Sequence, residues 1–119
     1  MQNTEANADR SYHERVAKTI INQMGGHKLL GLMIGVKSYT FDHNNVAFRY
    51  MKADRNKSNY VDIQLTPDDT YTLKFWWIHG DKCQEVQTIE NVYCDQLIPV
   101  FSDATGLSLV IPKLSKMSC

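Results

Sequence analysis

The chain of 119 residues is 43% apolar, which suffices for one domain with an ordinary core and no need of metal or disulfide support. Thirteen Lys plus Arg balance thirteen Asp plus Glu, which excludes a whole-molecule field that would draw the protein to a nucleic-acid backbone or an anionic membrane. No run reaches the roughly 18 apolar residues of a membrane span, and residues 1–10 lack the basic start and apolar stretch of a secretory signal.

Cys83, Cys94 and Cys119 are odd in number and lack a short paired spacing, so they read as reduced thiols of a soluble protein in the cytoplasm. Residues 1–10 are polar and without periodicity, and read as a flexible tail. Ser11-Tyr12-His13-Glu14 fits a capping box, and Tyr12, Val16, Ile20, Ile21 and Met24 follow at helical spacing before Gly25-Gly26. This pattern predicts a helix over residues 11–24. The glycine-punctuated apolar run from Lys28 to Val36 reads as a buried strand. After turn residues at Asp42 to Asn45, Val46 to Met51 alternates as the next strand, and the two runs make a hairpin-like pair.

A polar loop from Lys52 to Asn59 leads to Tyr60-Val61-Asp62-Ile63-Gln64-Leu65, which puts Val61, Ile63 and Leu65 on one face and Asp62 and Gln64 on the other. Thr66-Pro67-Asp68-Asp69 is a turn, and it joins this strand to a second over residues 70–78. In that second strand Tyr71, Leu73, Phe75 and Trp77 form an apolar row, while Thr72, Lys74, Trp76 and Ile78 form a mixed one. A turn at His79 to Lys82 precedes a polar strand from Cys83 to Ile89, which fits a sheet edge. Val92, Tyr93, Leu97, Ile98 and Phe101 then predict a helix closed by Thr105-Gly106, which either starts near Asp95 with Pro99 in its early turns or is kinked at Pro99. Residues 107–111 suit a short strand and residues 112–119 a flexible tail.

The fold class that follows is α+β, with an N-terminal helix, an antiparallel sheet of four or five strands and a C-terminal helix, all in one domain over residues 11–111. No catalytic residues, cofactor or metal site stand out. His79 and Cys83 lack the second ligand pair that zinc requires. Pro67-Asp68-Asp69 with Lys74 faintly resembles a nuclease pattern, but position 72, where the acid would stand, is Thr72. Gly25-Gly26-His27-Lys28 follows a helix instead of preceding one, so it is a helix stop and not a phosphate loop.

Trp76 is the residue that the core row leaves over. Two readings stand: helices on both sheet faces bury both tryptophans, or both helices share the Val61, Ile63, Leu65, Phe75 and Trp77 face and leave Trp76 and Ile78 exposed. In the second case Trp76, Lys74, Ile78, Arg49, Asp62 and Gln64 form a binding surface for a protein, or for single-stranded nucleic acid held by Arg49, Lys74 and Trp76. An unpaired edge strand beside it also suits a homodimer.

The segments "INQMGGHKLLGLM", "GVKSYTF", "NNVAFRY", "YVDIQLTPDDTYTLKF", "NVYCDQLIPVF" and "TGLSL" occur in an order that resembles a family of small, largely uncharacterised proteins encoded by phages and other mobile genetic elements. The resemblance covers about residues 20 to 110, and the chain departs from it in the "FWWIHG" strand and at Pro99. It implies a gene carried by a phage or mobile element and a protein working in the host cytoplasm. By analogy with small phage domains that lack catalytic residues, it further implies a non-enzymatic interaction protein that binds and inhibits a host defence component.

Overall fold

The computed structural model describes residues 4–107, with side chains described from residue 12 onward. Helix α1 (Thr4–Gln23) and helix α2 (His27–Ile34) come first. Strands β1 (Tyr39–Asp42), β2 (Asn45–Arg49), β3 (Tyr60–Leu65), β4 (Tyr71–His79) and β5 (Lys82–Val92) follow. A 3₁₀ turn at Cys94–Gln96 leads into helix α3 (Leu97–Thr105). The strands form one antiparallel meander in the order β1-β2-β3-β4-β5, so the α+β class is the observed one and the sheet has five strands.

Helix α1 starts at Thr4, not at Ser11, so most of the expected N-terminal tail is helical and Ser11 lies within the helix instead of capping it. The larger correction concerns residues 28–36. Residues up to Ile34 lie in helix α2 rather than in a buried strand, because within it Leu30 and Ile34, four residues apart, are buried and Leu32 between them is not, whereas a strand would bury alternate residues. Leu32, at 85% exposure, shows that the run is only half apolar in use. Gly35 at φ 77° ends α2 in a left-handed cap, with the Gly35 amide donating to the Gly31 carbonyl and the Val36 amide to that of Leu30. The hairpin partner of β2 is therefore β1, paired from Tyr39↔Phe48 to Asp42↔Asn45.

Strand β5 runs past its expected end to Val92, and it is irregular. Its register with β4 shifts between Tyr71 and Leu73 and again between Phe75 and Trp76, and Asn91 adopts φ 59° beside the first shift. The expected C-terminal helix is present, and Pro99 is its third residue, where no helical acceptor awaits an amide, so it causes no kink. The short strand expected over residues 107–111 and the tail over residues 112–119 fall outside the described residues, Leu107 excepted.

One hydrophobic cluster joins Ala17, Ile20 and Met24 of α1, Leu30 and Ile34 of α2, and Leu97 and Phe101 of α3 to Val46, Phe48, Val61, Ile63, Leu73 and Phe75 of the sheet. The Phe101 ring lies 6.5 Å from Phe48, 5.2 Å from Tyr50 and 6.0 Å from Phe75, centroid to centroid. The three α-helices among the described residues therefore pack their buried apolar residues against one face of the sheet. No described helix is long and apolar enough to cross a membrane. Cys83 is a free, exposed thiol, while Cys94 is disulfide-bonded, so the expectation of reduced cysteines fails at Cys94.

Candidate binding surface

Strand alternation and register decide which side chains share the sheet face opposite the helices. Val61↔Phe75 and Ile63↔Leu73 are buried pairs on the core side, so their neighbours in each strand point away from it. Asp62 stands opposite Lys74, and Tyr60 stands opposite Trp76. Arg49 of β2 pairs with Tyr60, and Glu85 of β5 pairs with Trp76. Across four strands this makes one row, Arg49-Tyr60-Trp76-Glu85. The next row runs Ala47-Asp62-Lys74-Thr88, and Asn45-Gln64-Thr72 follows it.

Among the described residues no helix covers these rows. Of the six residues expected to form the surface, Arg49, Lys74 and Gln64 are exposed, and Trp76, Ile78 and Asp62 are half-buried. The sheet itself brings five of them together. Trp76 lies in the Arg49 row, and Asp62 and Lys74 are in the adjacent row. Gln64 is one row further from Trp76, and Ile78 lies beyond Trp76 toward the turn, opposite Cys83.

The two tryptophans end in different surroundings, though neither is fully buried. The expected core row ends at Phe75, because Trp77 is only half-buried and stacks on His79, with centroids 5.2 Å apart and ring planes 10° from parallel. The end of the β4–β5 hairpin thus carries one tryptophan on each side. Its free edge is held by the loop before β3. The Asn59 side chain donates to the Ile78 carbonyl at 2.8 Å and accepts from the Ile78 amide at 2.8 Å, and the Asn59 amide donates to the Trp76 carbonyl at 2.9 Å. Arg49 Nη2 also donates to the Ile78 carbonyl, at 3.2 Å.

Charge on this face is of both signs. Asp62 accepts a hydrogen bond from Asn45 Nδ2 at 2.8 Å, and Glu85 accepts one from Thr88 Oγ1. Arg55, from the loop between β2 and β3, is turned toward the end of α3 and away from the face. Its Nη1 donates to the Asp103 carbonyl at 2.7 Å and lies 3.2 Å from Asp103 Oδ1, and its amide donates to the Thr105 carbonyl, latching the end of α3. Arg55 therefore does not share a patch with Arg49. Among the described residues no three His, Cys, Asp or Glu side chains gather as a metal-holding group.

Tyr60 and Glu85 belong to the surface and were not named from the sequence. The signal for Tyr60 was available. The turn Thr66–Thr70 closes by a Thr66 amide to Thr70 carbonyl bond, which sets Leu65 opposite Tyr71 and therefore Tyr60 opposite Trp76. Glu85 was harder, because the register shift beside Trp76 displaces β5 from simple alternation. Comparison of the chain with protein families, with curated proteins and with solved structures finds no match.

Proposed function

We propose that this chain is a non-enzymatic interaction protein that binds a partner protein through the open sheet face centred on Tyr60 and Trp76. The observation that carries the reading is that half-buried cross-strand aromatic pair on a face no described helix covers. Flat aromatic area ringed by polar groups of both signs suits a protein interface, where aromatic residues supply most of the binding energy and rim charges supply register. The resemblance to proteins of phages and mobile elements supports a host protein as that partner, a defence component whose surface is occupied and so inhibited, in the host cytoplasm.

A second copy of the chain is the weaker candidate. A strand added along β5 would meet two breaks in register and the charges of Lys82, Glu85 and Glu90, and such irregularities and charges keep sheet edges from pairing. Nucleic acid is also weaker, since Asp62 and Glu85 stand in the rows that hold Lys74 and Arg49.

Affinity capture from host lysate with the wild-type chain and Trp76→Ala tests the reading. A defined protein should be retained by wild type and lost by the variant, with binding weaker by about 2 kcal/mol or more, as at a central aromatic anchor. Retention by both would remove the surface. Salt-sensitive binding of single-stranded DNA that is lost in Trp76→Ala and Lys74→Ala would move the assignment to nucleic acid.

A further inference from the structure

Where α2 hands the chain to the sheet, a cleft of about 390 Å³ opens between the link that follows the helix and the end of β2. Gly35, Lys37, Ser38, Arg49, Tyr50 and Met51 line it. None of the six is acidic, and two are cationic. Lys37 takes part in no ion pair or hydrogen bond among the described residues, and the same holds for the Ser38 hydroxyl. Arg49 gives one bond to the Ile78 carbonyl and has no carboxylate partner among the described residues, so most of its five N–H donors remain available. The Tyr50 hydroxyl is committed elsewhere, to Ser58 Oγ at 2.6 Å and the Tyr60 carbonyl at 3.3 Å. Among the described residues the cleft therefore offers donors and positive charge and no charge of the opposite sign.

We propose that this cleft binds a small phosphorylated molecule, with its phosphoryl group held between Lys37 and Arg49 and bonded by the Ser38 hydroxyl. Two cations from different segments and a hydroxyl match the several oxygens and double charge of a phosphate monoester better than they match a single carboxylate. The volume exceeds what a phosphoryl group needs and lies in the range of ordinary small-molecule sites, which leaves room for the body that carries the phosphoryl group. The site shares Arg49 with the proposed partner surface, whereas Lys37 belongs to the cleft alone and is the residue that tells the two apart.

Amide chemical shifts followed during titration with inorganic phosphate, adenosine monophosphate, adenosine and acetate test the assignment. Phosphate and adenosine monophosphate should give saturable shifts confined to residues 35–38 and 49–51, with half-saturation near or below about 1 mM, the monophosphate binding more tightly. Lys37→Ala, an exposed side chain with no bonds to lose, should weaken both by about tenfold or more, and Arg49→Ala likewise. Lys74→Ala should change neither. Linear, unsaturated shifts, equal shifts around Lys74 and Lys82, indifference to Lys37→Ala, or binding of adenosine or acetate as tight as that of the monophosphate would each overturn the proposal.

Discussion

Tyr60 and Trp76 stand directly opposite each other on β3 and β4, on the sheet face away from the helices. Directly opposite cross-strand neighbours have Cβ atoms about 5 Å apart; both residues are half-buried, and among the described residues no helix lies over them. The backbone beneath them is fixed by paired strands and by Asn59, so the aromatic area is preorganised before any partner arrives.

The chain has two tryptophans, so Trp77→Phe leaves Trp76 as a single reporter. Its fluorescence in the free protein should be quenched by acrylamide well above the level of a core indole, and its emission should lie to the red of one. Resistance to quenching would mean that something covers the face.

Phe101 is fully buried and its ring meets those of Phe48, Tyr50 and Phe75. Phe101→Ala should cost about 3–5 kcal/mol, read as a lower urea midpoint at unchanged slope. A loss below about 1 kcal/mol would show that α3 is not seated on this face.

Asn59→Ala removes both side-chain bonds to Ile78, which leaves that residue's amide without a partner on the free side of β4 and its carbonyl with the Arg49 bond alone. The expected loss is about 1–3 kcal/mol, with amide exchange sped up at Ile78 and the hairpin end while Ile63 and Leu73 stay protected. Uniform acceleration across the sheet would contradict a local clamp.

Burial lifts the Tyr50 hydroxyl well above its ordinary value of 10.0, and its bonds to Ser58 and Tyr60 only partly offset that. Burial raises Tyr39 as well, and burial with the nearby Asp69 charge raises Tyr71. Below pH 10.0 the proton is bound in folded and unfolded chains alike, and the full stability is present. Above it the unfolded chain releases the proton first, so stability falls as pH rises. Tyr50→Phe should flatten that alkaline decline at a cost of about 1 kcal/mol near neutrality, since Ser58 Oγ keeps its bond to Asn56. An unchanged slope in denaturant titrations above pH 10.0 would contradict the assignment to Tyr50.

What was legible in the sequence was whatever local chemistry decides. The turn Thr66 to Asp69 announced the β3–β4 hairpin, alternation in residues 60–65 gave its faces, and Thr105-Gly106 marked the end of α3, where Gly106 sits at φ 82°. The segment from Lys28 to Val36 was misread because a short apolar run with glycines carries no period, and its helical form is fixed by what Leu30 and Ile34 meet in the core. For the same reason the number of helices on each face, and hence the exposure of Trp76, could not follow from β4 alone. Alternation also failed at Trp77, since it says which way a side chain points and not how far the helix layer reaches.

The central claim is that a partner protein sits on Trp76. It is tested most directly by titrating the captured partner into the Trp77→Phe protein while following the remaining indole. Binding should shift Trp76 emission to the blue and protect it from acrylamide, and neither change should occur in a Tyr60→Ala variant of the same protein that keeps its fold. A partner that binds with full affinity and leaves Trp76 emission and quenching unchanged would contradict the account.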